Sequence, residues 1–260
     1  MEQYLLLTVF GIVIGVFGTL IGAGGGFILT PILLLLYPND SPETITSISL
    51  SVTCANAVSG SIAYGRLKRI NYRYGLFFSA ASIPGAILGA ISTYYIPRRV
   101  FDLTFAITLL IVSLVIFVRI PKEISISENY IIHLSSRKLT AGILLSLAIG
   151  FVSSFLGIGG GIIHVPVLSN ILLFPVHIAT ATSHFILAIV TFVGTVVHII
   201  SGTFHHGVRR AVALAIGVLI GAQIGAMLSS KVRSKVIIRS LAVALYLVGI
   251  RLTALYFSGQ

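Results

Sequence analysis

The chain has 260 residues, of which 57% are hydrophobic and 9% charged, with a mean hydropathy of +1.08 and a formal net charge of +11. Soluble domains carry roughly 25% charged residues, so this composition excludes a water-soluble globule and defines a polytopic helical membrane protein. The Lys and Arg residues cluster between the apolar runs, where they mark loop topology, which excludes a nucleic-acid footprint.

The first element, about 3–37, is an apolar run broken by Gly22, Gly24, Gly25 and Gly26 and resuming through Pro31. No basic n-region precedes it, so it is expected to be a retained membrane element and not a signal peptide. Three apolar helices are predicted next, at about 44–65, 74–95 and 100–118. A polar stretch at 119–139 is the expected cytoplasmic linker, dividing a first membrane repeat (1–118) from a second (140–260).

The second half repeats the first. Its broken element, about 140–169, carries Gly157, Gly159, Gly160, Gly161 and Pro166 in the spacing of Gly22 to Pro31. Helices are predicted at about 178–202, 210–229 and 236–257. Ser49 falls opposite Ser183, Ser59-Gly60 opposite Val193-Gly194, and Gly85 to Ala90 opposite Gly221 to Ala226. GxxxG pairs such as Gly85/Gly89 and Gly217/Gly221/Gly225 suit close helix packing in lipid.

Each broken element is too long for one span and too short for two, so a re-entrant hairpin is expected. Three crossings then remain per half, and the second repeat is inverted. Lys and Arg placement favours this arrangement. It sets twelve inside (Arg66, Lys68, Arg69, Arg73, Arg119, Lys122, Arg137, Lys138, Lys231, Arg233, Lys235, Arg239) against Arg98, Arg99, Arg209 and Arg210 outside. Parallel halves would give ten against six.

Duplicated, broken apolar elements point to a transporter's binding site. An unwound segment is tolerated within the bilayer only inside protein or against a water-filled cavity. Glycines there let a ligand approach the backbone, and the helices resuming after them offer free N–H groups to an anion. The acidic residues agree with an anionic substrate. Glu2, Asp40, Glu43, Glu123 and Glu128 fall in loops or at the terminus, and Asp102 lies at a helix start beside Arg98. No carboxylate is left at mid-membrane, where cation carriers and proton relays need one.

The candidate substrate-binding residues are therefore Gly24, Gly25, Gly26, Gly159, Gly160 and Gly161, with Ser49, Asn56, His164, Thr182, Ser183, His184 and Gln223 as polar groups within apolar helices. The histidines can donate a hydrogen bond to an anion or titrate in proton coupling. No Ser/His/Asp set or metal-ligand cluster stands at mid-membrane, and Cys54 is the single cysteine. Neither an enzyme nor a cofactor or metal site is expected.

The segments IGAGGGFILTPIL (21–33), LGIGGGIIHVPVL (156–168), SGSIAYGRLKRINY (59–72), ATSHF (181–185) and GAQIGAMLS (221–229) resemble the sulfite exporter TauE/SafE family of membrane permeases. The likeness runs through both halves. It implies transport of a small sulfur-containing anion, such as sulfite, thiosulfate, sulfoacetate or a related organosulfonate, across the cell membrane by alternating access. An anion channel, or a carrier of another small organic anion, is the alternative. The family's Thr-Ser-Leu after the first glycine element stands here as Ile48-Ser49-Leu50, and its second-half counterpart as Thr182-Ser183-His184.

Overall fold

The computed structural model describes residues 2–118, 134–229, 242–243 and 245–254. The linker expected at 119–139 and the start of the last helix lie largely outside them. The described residues are helical, with no strand among them. In chain order the helices are α1 (Glu2–Ile21), α2 (Gly26–Leu36), α3 (Pro42–Arg66), α4 (Tyr72–Ser92), α5 (Arg98–Val118), α6 (Ser136–Leu156), α7 (Gly161–Pro166), α8 (Val176–Ile200) and α9 (Val208–Leu228). A tenth, α10, covers Leu245–Ala254.

Six of these, α1, α3, α4, α6, α8 and α9, are long and apolar enough to cross a membrane. At 1.5 Å per residue the 20 residues of α1 reach about 30 Å, a whole hydrocarbon thickness. Large apolar side chains cover the outside, including Leu5, Leu144, Phe192 and Ile200. A face of this kind needs lipid against it.

Helix ends follow local chemistry. Pro42 opens α3 at a position where a missing N–H costs nothing. The Asn71 side chain accepts from Tyr74 N and caps α4. Both short helices begin after a left-handed glycine, Gly25 (φ 84°) and Gly160 (φ 78°). The second departs from its counterpart: after Pro166, α7 widens into a π-helical turn, Val167–Ile171. Proline removes an N–H from the ladder and crowds the preceding turn, and Leu172 N then bonds to Val167 O.

Side-chain pairings give the helix directions. Thr8 Oγ1 donates to Ala213 O, and Thr19 lies at Gly225, so α1 and α9 run side by side in the same direction. Ser82 Oγ donates to Ser146 O and Gly89 meets Phe151 and Phe155, so α4 and α6 do likewise. Thr46 faces His198 while Gly60 faces His184, so α3 and α8 are antiparallel through the centre. Gly249 of α10 abuts Leu110 and Ala106 of α5. Every major pair joins one half of the chain to the other.

The small-residue rows make these pairs. A Cβ added at Gly217 or Gly221 would lie 2.1 Å from Thr8 O or 2.2 Å from Ile12 O. At Gly85 or Gly89 it would lie 2.1 Å from Leu147 O or 2.2 Å from Phe151 O. Backbone meets backbone there, which gives dispersion and Cα–H···O contacts where lipid supplies no hydrophobic drive. Helices α4 and α9 each pack on the first helix of the opposite half.

At one end of the bundle, charge is paired. Arg98 bonds Asp102 and donates to the carbonyls of Leu34, Tyr37 and Asp40, closing the C-terminal end of α2. Arg210 pairs with Asp40 at 2.7 Å and lies over the Tyr37 ring.

Candidate functional site

The two glycine breaks fold back on their own first helices and meet in the interior. Ala23 N and Gly24 N both donate to Gly18 O, and Gly25 lies against Ile14, so α2 returns along α1. Positive φ at Gly22, Gly24 and Gly25, and again at Gly157, Gly159 and Gly160, makes the reversal possible. A Cβ on Gly26 would stand 2.9 Å from Gly157 O, and one on Gly161 2.5 Å from Gly22 O. Each turn is therefore packed against the carbonyl end of the other.

Ser49 and Ser183 hold that arrangement reciprocally. Ser49 Oγ, on α3, donates to Gly157 O of the second half at 2.7 Å. Ser183 Oγ, on α8, donates to Gly22 O of the first half at 3.2 Å. Thr30 Oγ1 lies 2.8 Å from Ser49 Oγ and 2.9 Å from Gly157 O, so its single proton can go to either. A carbonyl left over by an interrupted helix needs such a partner in a dry interior.

The helix starts remain open. Gly25 O accepts from Ile28 N and Leu29 N, and Gly160 O from Ile163 N and His164 N. Among the described residues, the N–H groups of Gly26, Phe27, Gly161 and Ile162 make no backbone bond. Thr53 wedges between the turns: its Cγ2 limits Gly24 and Gly159, and its Oγ1 faces Gly26. That hydroxyl is fully buried and has no partner. Ser153 Oγ, beside Gly160, is unpartnered as well.

A polar cluster adjoins the first turn. Thr19 Oγ1 donates to Asn56 Oδ1 at 3.1 Å and lies 3.4 Å from His184 Nε2. Tyr64 packs edge-on to His184 and donates to Thr19 O at 2.7 Å. Asn56 Nδ2 and His184 Nδ1 are buried without partners. Burying such donors and acceptors unpaired costs about 1–3 kcal/mol each, and functional sites are where that cost is tolerated.

The remaining sequence candidates are distributed differently. His164 is buried on α7, with neither ring nitrogen partnered. Thr182 Oγ1 accepts from Asn71 N at the start of α4. Gln223 Nε2 donates to Ser59 O and Ser59 Oγ, tying α9 to α3. Asp102 is held by Arg98, as its place at a helix start implied. Among the described residues no group of His, Cys, Asp and Glu could hold a metal.

Thr53, Thr19, Tyr64 and Gly60 were not among the sequence candidates. The stripe Ser49, Thr53, Asn56 and Gly60, spaced four, three and four along α3, is one helix face and could have revealed two of them. Thr19 and Tyr64 carry no such signal.

Six membrane-length apolar helices around paired, broken elements define a multi-pass membrane protein of transporter type. Residues 7–252 match the family model of the sulfite exporter TauE/SafE. The chain belongs to that family and is one of its membrane transporters. It is 30% identical over 217 residues to the probable membrane transporter protein YunE of Bacillus subtilis (strain 168), covering 77% of this chain and 80% of that protein. It is 28% identical over 205 residues to the probable membrane transporter protein MJ0441 of Methanocaldococcus jannaschii, covering 76% and 73%. A probable membrane transporter protein of Haemophilus influenzae is 24% identical, covering 64% and 61%. No solved structure matches.

Proposed function

We propose that this chain is a secondary carrier of a small sulfur-containing anion, such as sulfite, thiosulfate, sulfoacetate or a related organosulfonate. It works by alternating access between two inverted halves. The anion is held between the glycine turns, by the open N–H groups at Gly26–Phe27 and Gly161–Ile162 and by the Thr53 hydroxyl. Ser49 and Ser183 keep the turns in register, and Asn56 and His184 complete the anion's surroundings.

One observation carries this reading. The two glycine turns, from opposite halves, meet at the same Thr53 side chain, whose methyl limits Gly24 and Gly159 and whose buried, unpartnered hydroxyl faces the start of α2 at Gly26. Backbone N–H groups and a positive dipole end favour an anion without any formal charge. The charged residues of α1, α3, α4, α6 and α9 lie at helix ends, so no fixed carboxylate opposes it. The opposed directions of α3 and α8, and the crossed pairs α1–α9 and α4–α6, support the inverted arrangement.

The test is a thermal-shift screen of purified protein with sulfite, thiosulfate, sulfoacetate, taurine and sulfate. A bound ligand at one hundred times its Kd stabilises the fold by about 2.7 kcal/mol. A shift with at least one oxidised-sulfur anion is expected, and absence of any shift overturns the reading.

A further inference from the structure

The two halves differ at one place where they otherwise correspond. Gly60 of α3 and Gly194 of α8 each leave room for a side chain from the opposing helix. At Gly194 the occupants are Leu50 and the Ser154 hydroxyl, whereas at Gly60 they are the His184 imidazole and Thr19. A Cβ on Gly60 would stand 2.4 Å from His184 Nε2, so glycine is what admits the ring. One niche thus holds an ionisable group where the other holds a leucine.

The ring sits in a polar niche. Thr19 Oγ1, which donates to Asn56 Oδ1, lies 3.4 Å from His184 Nε2. His184 Nδ1 is fully buried and unpartnered. Ser183, its neighbour on α8, donates to Gly22 O, so the niche adjoins the first glycine turn itself.

Arg66 and Arg69 follow Tyr64 closely in sequence, and Arg69 donates to Ser229 Oγ at the end of α9. The charged residues of the elements packed around it sit at their ends: Glu2 on α1, Glu43 and Arg66 on α3, Arg73 on α4, Arg137 and Lys138 on α6, Arg209 and Arg210 on α9. Tyr64 of α3 is the titratable group against the ring, and His164 of α7 lies on the other half's broken element. A single charge of either sign is costly to bury in a dry interior. An anion and an imidazolium each supply the counter-charge the other lacks.

We infer that His184 is a proton-binding site coupled to the anion site: the anion's arrival between the turns is accompanied by uptake of one proton on the His184 imidazole. Gly60 and Thr19 are positioning residues for that ring. The inference rests on the anion-carrier reading and adds to it the co-transported species and the group that carries it. The corresponding place at Gly194 holds Leu50, which has no proton to take up.

The test uses purified full-length protein and thiosulfate or sulfoacetate, both of which keep a constant charge at neutral pH. Titration calorimetry in two buffers of different ionisation enthalpy counts the protons taken up. Wild type is expected to take up close to one proton per anion, with affinity falling up to tenfold per pH unit as pH rises across about pH 5–8. His184→Gln is expected to bind with no proton uptake and an affinity independent of pH. Wild-type binding without proton uptake overturns the inference while leaving the carrier reading standing, and needs no variant to fold. The same uptake in His184→Gln also overturns it. Binding of none of the oxidised-sulfur anions removes both readings.

Discussion

Replacing Gly161 by alanine tests whether contact between the glycine turns matters for more than stability. The added methyl would lie 2.5 Å from Gly22 O and 2.6 Å from Ala23 Cα. Both are backbone atoms of the opposite half and cannot rotate away. Ordinary contact distances require the turns to part by about 1 Å. Overpacking of this kind costs about 1–3 kcal/mol, and separation draws the open N–H groups of α2 and α7 apart. Gly202→Ala is the matched control. Its backbone is left-handed (φ 76°) with nothing within 4 Å, so it carries only the conformational cost of about 1–2 kcal/mol. Both variants should melt a few degrees lower in detergent, at about 2–4 °C per kcal/mol. Only Gly161→Ala should lose anion flux in proteoliposomes. Equal flux in Gly161→Ala and wild type would mean that contact between the turns is not needed for transport, and equal loss of flux in both variants would mean that the loss is one of stability alone.

Two further outcomes follow from the same geometry. Ser183→Ala should destabilise more than Ser49→Ala, because Gly157 O retains Thr30 as a donor. The side-chain donor given to Gly22 O is Ser183. The costs expected are about 1–3 kcal/mol and about 1 kcal/mol or less, respectively, read from melting in detergent, and the reverse order would refute the account of the turns. In a Cys54→Ser background, Lys68→Cys and Gly202→Cys should react with an impermeant thiol reagent from opposite sides of the membrane. Lys68 follows the end of α3, which meets the start of α8, whereas Gly202 follows the far end of α8. Labelling of both from one side would refute the antiparallel arrangement of these helices.

The solvent, the helices and the break points are legible in the residues alone. Low charge and long apolar runs leave lipid as the only surroundings in which the chain can bury its surface. Consecutive glycines disfavour helix by about 1 kcal/mol each, so Gly24–Gly26 and Gly159–Gly161 marked interruptions that the structure places at 22–25 and 157–160. These are local properties, set by each residue's own backbone freedom and hydropathy.

Which polar groups are spent and which are left over depends on packing in three dimensions. Ser49, Ser183, Thr182 and Gln223 look alike as polar residues in apolar helices, yet all four are engaged in holding backbone or neighbouring helices. Thr53, Asn56 and His184 keep unpartnered atoms in the same interior. Hydrogen-bond satisfaction depends on what lies opposite, and here what lies opposite comes from the other half of the chain. For the same reason the meeting of the two glycine turns is a tertiary fact, since no residue within either turn specifies its partner.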